Sequence, residues 1–132
     1  KDFNASKGVL GIIGAGNFTK MTMLPALTKA GAEIKTIASA GGLSGTTLAK
    51  KFNIAQSTTS IDEILEDSDV SSVLVTTRHN SHAKFAVDSL AKNKHVFVEK
   101  PLALSPEELN EVEKFDIILN LSYYYIVPTL RK

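Results

Sequence analysis

The sequence predicts an α/β protein with a doubly wound, mostly parallel sheet. Short apolar runs alternate with segments of helical periodicity along the chain, and this alternation is typical of parallel strands joined by right-handed helical crossovers. The run Val73-Leu74-Val75 is apolar at every position, as expected of a central strand that is buried on both faces. A third indication is the glycine turn Gly14-Ala15-Gly16, which directly follows the first apolar run. Together these features favour a single sheet covered by helices on both sides.

The individual elements follow from apolar runs, helical stripes and helix-capping residues. The predicted strands lie at residues 9–13, 33–38, 54–57, 70–76, 95–98 and 115–121. The predicted helices lie at residues 17–29, 46–52, 60–67 and 81–92, and a fifth starts after residue 105.

Three helices carry local signals at their ends or near their starts. Pro25 lies inside the first helical pattern, so we expect a kink or a late start there. Ser60, followed three residues later by Glu63, predicts a capping box. Ser105 precedes Pro106, which predicts an N-cap with proline in the first turn.

Composition limits the partners of the chain. Its 132 residues suffice for one domain, and we expect this domain at residues 1–120, with the start of a linker at 121–132. Because 15 Lys and Arg oppose 14 Asp and Glu, no overall field attracts nucleic acid or an acidic membrane. No apolar stretch approaches the roughly 18 residues that span a bilayer. The absence of cysteine excludes disulfides and is compatible with a cytoplasmic location. Homo-oligomer formation is left open.

The glycine turn resembles the start of a dinucleotide-binding unit. In the fingerprint G-x-G-x-x-G/A, Gly14 makes the tight turn and Gly16 lets a pyrophosphate approach, and the helix that starts near Asn17 and Phe18 favours a phosphate. The third position is Thr19 instead of glycine or alanine. By itself this pattern fits an ordinary strand-to-helix turn about as well as a dinucleotide-binding turn. The residues at the other strand ends must therefore distinguish the two.

The end of the second strand bears on the choice between NAD and NADP. A carboxylate at this position accepts hydrogen bonds from the adenosine ribose, but the sequence has Ser39, followed by Ala40 and two glycines. Without that carboxylate nothing repels a 2′-phosphate, and the hydroxyl of Ser39 could bind one. This favours NADP slightly over NAD. The alternative is a flexible loop with no part in cofactor choice.

The segment after the fourth strand is a polar cluster. Thr76 and Thr77 open it, and His79 or His82 could contact nicotinamide, ribose or substrate. The alternative is that Asn80 or Ser81 caps the next helix and the histidines are solvated, which is the better reading for His79. Three scattered histidines offer no metal site.

The fifth strand ends in Glu99-Lys100-Pro101. A lysine at the reactive end of a cofactor can exchange a proton with a substrate while hydride moves. By chemistry alone, an ion pair between such neighbours at the surface is the default interpretation.

With these strand ends read, the sequence resembles the glucose-fructose oxidoreductase, inositol dehydrogenase and MocA-like (Gfo/Idh/MocA) family of NAD(P)-dependent oxidoreductases, whose first domain has a Rossmann fold. The likeness runs from about Gly8 to Asn110. It rests on Gly-Ile-Ile-Gly-Ala-Gly-Asn-Phe at 11–18, on His82 at the start of a helix, and above all on His-Val-Phe-Val-Glu-Lys-Pro-Leu-Ala at 95–103.

The resemblance implies roles that group by strand end, with NAD or NADP as cofactor. The pyrophosphate would be held by Gly14, Gly16, Asn17 and Phe18. The nicotinamide side would be lined by Thr76, Thr77 and His82, and Glu99 would face the nicotinamide ribose. Lys100 would contact the cofactor and act as the catalytic lysine near a substrate that is a sugar, a sugar derivative or a cyclitol.

Some features depart from the family. Members continue into a second domain, an open-faced antiparallel sheet that supplies most of the substrate pocket, whereas this sequence stops at Lys132. Arg78 stands where many members have proline, so its role is open. The loops at Ser39 and Thr77 resemble a domain found behind a zinc-type alcohol dehydrogenase module in bacterial oxidoreductases, which would explain the start without Met. The alternative function is a dinucleotide-binding or assembly module without catalysis.

Overall fold

A computed structural model describes residues 8–115 of the protein. Its strands are β1 (Val9–Ile13), β2 (Glu33–Ala38), β3 (Gln56–Thr58), β4 (Ser72–Val75) and β5 (His95–Val98). Its α-helices are α1 (Leu24–Lys29), α2 (Leu43–Phe52), α3 (Asp62–Leu65), α4 (His82–Ala91) and α5 (Pro106–Glu113). The strands form one sheet in the order β3-β2-β1-β4-β5, and every neighbouring pair is parallel. The predicted doubly wound α/β fold is confirmed.

Alternate residues of the strands point to opposite faces of the sheet, and helices cover both. Ile12 packs in a core with Leu24 of α1 and Leu48 of α2. The neighbouring Ile13 packs on the other face, in a core that includes Ala86 of α4 and residues of α3 and α5. Because both faces are apolar and buried, the central strands β1 and β4 are largely continuous hydrophobic runs.

The first helix starts in an unusual way. The chain becomes helical at Asn17 and passes through a π-helical turn at Thr19–Met23 before α1 begins at Leu24. Pro25 lies in the first turn of α1, where its missing N–H costs least. The predicted helical bounds 17–29 are confirmed, the turn before Pro25 is π-helical, and the expected kink there stays a prediction.

Two shifts from prediction lie at the start of α2 and in the segment just after its end. Its start at Leu43 precedes the predicted residue 46, because the Ser39 hydroxyl accepts a hydrogen bond from the Gly45 N–H at 3.2 Å and stabilises the first turn. At the other end the Ile54 N–H donates to the Ala49 carbonyl at 2.9 Å. Ile54 therefore closes α2, and β3 starts at residue 56 instead of 54.

The two predicted caps have different outcomes. The Ser105 hydroxyl accepts from the Glu108 N–H at 3.2 Å, with Pro106 as the first residue of α5, so this N-cap is confirmed. The capping box at Ser60 is wrong: α3 begins at Asp62 and its cap residue Ile61 makes no side-chain hydrogen bond. The predicted strand at 115–121 and the domain boundary at 120 fall outside the described residues, apart from Phe115.

Parallel pairing brings the carboxyl ends of all five strands to one edge of the sheet, called here the carboxyl edge. In a doubly wound sheet this edge is where ligands bind. Within residues 8–115, none of the helices has the length and apolar character needed to cross a bilayer.

Candidate functional site

A groove of about 1220 Å³ runs along the carboxyl edge. This volume exceeds the range of roughly 300–1,000 Å³ that is usual for drug-sized ligands, so the groove has room for a larger molecule. Its walls come from the segments that follow the strands. They comprise Ile13–Phe18 after β1, Ala38–Gly41 and Ser44 after β2, Thr59–Ile61 after β3, Thr76–Ser81 after β4, Phe85 of α4, and Glu99 after β5.

The glycine turn lies at the switch point of the sheet, between the ends of β2 and β4. The Gly14 N–H donates to the Ala38 carbonyl at 2.8 Å, and the Thr76 N–H donates to the Ile13 carbonyl at 2.9 Å. Gly14 has a φ of +120°, and a Cβ there would lie 2.8 Å from the backbone carbonyl of Thr76. Only glycine fits this position without strain or displacement of β4.

Gly16 differs from Gly14 because the protein itself does not require glycine there. A Cβ at Gly16 would have no atom within 4 Å, yet the residue lines the groove. The space beside Gly16 is therefore free for a ligand. The chain becomes helical at the next residue, Asn17, so backbone N–H groups of the first turn are available to an anion. These residues fit the pyrophosphate of a dinucleotide.

Thr19 stands at the third position of the fingerprint, where glycine or alanine is usual, and its side chain holds the glycine turn in place. This side chain is fully buried; its hydroxyl lies 3.2 Å from the Gly14 carbonyl oxygen and 2.6 Å from the hydroxyl of Thr76. The Thr76 hydroxyl also lies 3.4 Å from the Ile13 carbonyl oxygen, so either hydroxyl can be the donor in the contact between the two threonines. The pair ties the glycine turn to the end of β4.

The loop after β2 offers hydroxyls and backbone groups without a carboxylate. Ser39 is half-buried, and its oxygen accepts from Gly45, which leaves the hydroxyl proton free for a ligand. Gly41 and Ser44 also line the groove. Lys50 lies in the last turn of α2 and is not part of the groove wall.

The segment after β4 forms one wall of the groove. The hydroxyls of Thr77 and Ser81 are 2.6 Å apart, and that of Ser81 donates to the Arg78 carbonyl at 2.8 Å. Ser81 therefore stabilises its own loop and does not cap α4 through its side chain. Arg78 and His79 line the groove and are exposed.

His82 lies beneath this wall. Its side chain is fully buried, with Nδ1 2.7 Å from the Pro101 carbonyl oxygen and Nε2 2.8 Å from the Thr77 carbonyl oxygen. A ring with both nitrogens engaged and no exposed surface does not line the nicotinamide side in this structure. His82 supports the wall from behind, and its expected contact with the cofactor stays a prediction.

The segment after β5 completes the edge. The Glu99 N–H donates to the Val75 carbonyl at 3.0 Å, which extends the pairing of β4 and β5 by one residue, and Glu99 lines the groove. Lys100 follows; it is exposed and does not line the groove wall. It nevertheless lies at the same edge of the sheet as Gly14 and Gly16. The Lys100–Pro101 peptide bond is cis.

The groove is distinct from the ion pairs at the opposite edge. There the Lys35 ammonium forms hydrogen bonds to Asp67 and Asp69 that raise the pKa of the lysine, and the same contact lowers the pKa of Asp67. A hydrogen bond to Glu66 raises the pKa of Lys92. Among residues 8–115 no cluster of His, Cys, Asp and Glu could hold a metal ion.

Most of the residues singled out from sequence meet at the groove. Those on its wall are Gly14, Gly16, Asn17, Phe18, Ser39, Thr76, Thr77 and Glu99, whereas His82 and Lys100 are not. Sequence reasoning missed Thr59, Ile61 and Phe85. The rule that residues just after a strand reach the ligand would have found the first two, but β3 has only three residues and a weak signal.

A family model described as "Oxidoreductase family, NAD-binding Rossmann fold" (GFO_IDH_MocA) matches residues 9–115. The chain is 31% identical over 102 residues to 1,5-anhydro-D-fructose reductase of Ensifer adhaerens, an alignment that covers 77% of this chain and 31% of that protein. The chain therefore spans about a third of the length of this relative.

Two solved structures of enzymes also match the fold of this chain. Levoglucosan dehydrogenase in complex with NADH matches with a TM-score of 0.72 and 28% identity over 82% of this chain and 31% of that one. The 3-ketoreductase KijD10 of Actinomadura kijaniata, in complex with NADP and TDP-benzene, matches with a TM-score of 0.73 and 25% identity over 85% and 36% of the two chains.

Proposed function

The chain belongs to the Gfo/Idh/MocA oxidoreductase family as an NAD-binding Rossmann domain, and from this premise we propose that NADP or NAD lies along the carboxyl-edge groove. The observation that carries the proposal is the contrast between two glycines. Gly14 is required by the packing of the protein itself, whereas Gly16 lines the groove and leaves open space beside it that a ligand can occupy. In a fingerprint of this kind, that space belongs to the pyrophosphate.

In this proposal, the segments at different strand ends bind different parts of the cofactor. The turn at 14–18 binds the pyrophosphate through its N–H groups. Ser39 faces the adenosine ribose, Thr76 and Thr77 lie on the nicotinamide side, and Glu99 faces the nicotinamide ribose. Both NADH-bound and NADP-bound relatives match the fold, so the choice between the two depends on the loop after β2.

For the whole protein we propose hydride transfer between nicotinamide and a carbinol carbon of a sugar, a sugar derivative or a cyclitol. The bound nicotinamide supplies the hydride acceptor or donor. Lys100, as the neutral amine, takes the proton of the substrate hydroxyl during oxidation, and as the ammonium returns it during reduction. The names of the relatives, a reductase of 1,5-anhydro-D-fructose and a dehydrogenase of levoglucosan, support this substrate class.

Replacing Gly16 by Ala tests the cofactor site. The added methyl group meets no protein atom, so the free energy of unfolding should stay within about 0.5 kcal/mol of the native value. It would occupy the space of the pyrophosphate, and we expect the affinity for NADPH and NADH to fall at least about tenfold. Calorimetric titration of both variants measures this. Native chain that binds neither dinucleotide would overturn the proposal.

Replacing Ser39 by Asp tests the expected preference for NADP. The carboxylate can still accept from the Gly45 N–H, as serine does, so α2 should keep its start. Its charge would repel a 2′-phosphate, and we expect NADPH to lose about tenfold or more in affinity relative to NADH. Ser39→Asn is the matched control because it has the same size and no charge. Equal losses for both dinucleotides would contradict this role of the loop.

Two further parts of the proposal concern location and assembly. We place the protein in the cytoplasm, where a chain without cysteine needs no oxidising compartment. Fractionation of cells that express it checks this. Self-association remains open, and light scattering of the purified protein would measure it.

A further inference from the structure

Both ring nitrogens of the buried His82 meet hydrogen-bond acceptors. Nδ1 lies 2.7 Å from the carbonyl oxygen of Pro101, and Nε2 lies 2.8 Å from that of Thr77. The ring is fully buried, so water does not replace either contact. A carbonyl oxygen can only accept, and a neutral imidazole has a single N–H. The tautomer decides which carbonyl accepts the ring N–H, and the ring lies within hydrogen-bond distance of both.

We propose that His82 is a positioning residue whose buried ring bridges the carbonyls of Thr77 and Pro101 and thereby fixes the Lys100 segment against the wall of the groove. This inference rests on the proposed function, since it assigns His82 to the reactive end of the same site. In this proposal His82 does not contact the cofactor. It acts by holding together the segments that contain Thr77 and Pro101.

The two carbonyl acceptors belong to different segments of the site, so the His82 ring links these segments. Thr77 belongs to the groove wall, whereas Pro101 directly follows Lys100. The pairing of β4 and β5 reaches Glu99 through its hydrogen bond to the Val75 carbonyl. Pro101 has no N–H to continue this ladder, and the His82 bridge takes over as the link between the two segments.

Charged and titratable groups surround the bridge on several segments. The ring of His79 lies 5.5 Å from that of His82, tilted by 60°. Arg78 follows Thr77, and Glu99 and Lys100 precede Pro101. Lys84 extends from α4 and pairs with Asp88. None of these side chains takes the place of the two carbonyls as a hydrogen-bond partner of the ring.

Nitrogen NMR of the ring tests the bridge directly, without cofactor. In the His79→Gln/His95→Gln double variant labelled with ¹⁵N-histidine, His82 supplies the histidine signals of residues 1–132. We expect a ring N–H of His82 whose proton exchanges slowly with water, because it is buried and held in a hydrogen bond to a carbonyl. A ring N–H that exchanges as fast as that of a free imidazole would overturn the bridge. Because no dinucleotide is present, this result is independent of whether the chain binds NAD(P).

Substitution tests the positioning. His82→Gln should shift the backbone amide signals of Glu99, Lys100 and Leu102 while leaving those of Gly14 and Gly16 in place. In the polypeptide that carries the whole substrate site, kcat should fall about 10²-fold with little change in dinucleotide affinity, since a misplacement of about 1 Å has this effect. His95→Gln, an exposed ring at the start of β5 that does not line the groove, is the control. A kcat equal to that of the native enzyme would contradict the proposal. If His82→Gln does not fold, the ring NMR of the double variant decides.

Discussion

Replacement of Lys100 by Met is expected to lower kcat by about 10²–10⁴-fold, the usual contribution of a general acid or base. Met keeps the length and the apolar stem of the side chain but cannot exchange a proton. Lys100 is exposed, so the fold should be unaffected, and binding of NADPH should change far less than turnover. Steady-state kinetics with sugars and cyclitols, on the polypeptide that carries the whole substrate site, gives kcat.

Lys92→Met is the matched control for this substitution. It removes an ammonium whose side chain is 48% exposed and pairs with Glu66 at the edge opposite the groove. We expect its kcat to equal that of the native protein. Unchanged turnover in Lys100→Met would exclude the catalytic role and favour the alternative of a binding or assembly module.

Replacement of Gly14 by Ala is expected to have the largest effect on stability. The residue has a φ of +120°, which side chains rarely adopt, and the new Cβ would lie 2.8 Å from the backbone of Thr76. Backbone strain and overpacking each cost about 1–3 kcal/mol. We therefore expect the free energy of unfolding to fall by about 2–5 kcal/mol, measured by urea denaturation.

Gly31→Ala separates strain from overpacking. Gly31 also has a positive φ, +76°, but a Cβ there would have no atom within 4 Å. We expect a loss of about 1–2 kcal/mol from the left-handed backbone alone. Equal losses in the two variants would mean that the contact with Thr76 adds nothing.

The sequence predicted the fold well because its signals are local. β1, β2 and β5 have the predicted bounds, since each is a short apolar run between turn residues. The start of α5 at Ser105 and Pro106 was found from a cap that spans three residues. The same reasoning failed at Ile54, whose backbone N–H bonds to the Ala49 carbonyl at the end of α2, so the residue does not open a strand.

The site was only partly predictable because some of its bonds join distant parts of the chain. The sequence marks Thr19 as a departure from the fingerprint, but its partner Thr76 is 57 residues away. His82 was assigned to the nicotinamide side, whereas its bond to Pro101 spans 19 residues. Local patterns find residues at strand ends, but they do not show which of these contact the ligand and which hold the loops.

The central claim is that one dinucleotide lies along the carboxyl edge of the sheet, and amide NMR during a titration with NADPH measures this most directly. We expect shifts at residues 14–18, 39–44, 76–80 and 99–100 and none at the opposite edge, at residues 31–33 and 93–94. Shifts confined to the opposite edge, or no shifts with either NADPH or NADH, would contradict the account.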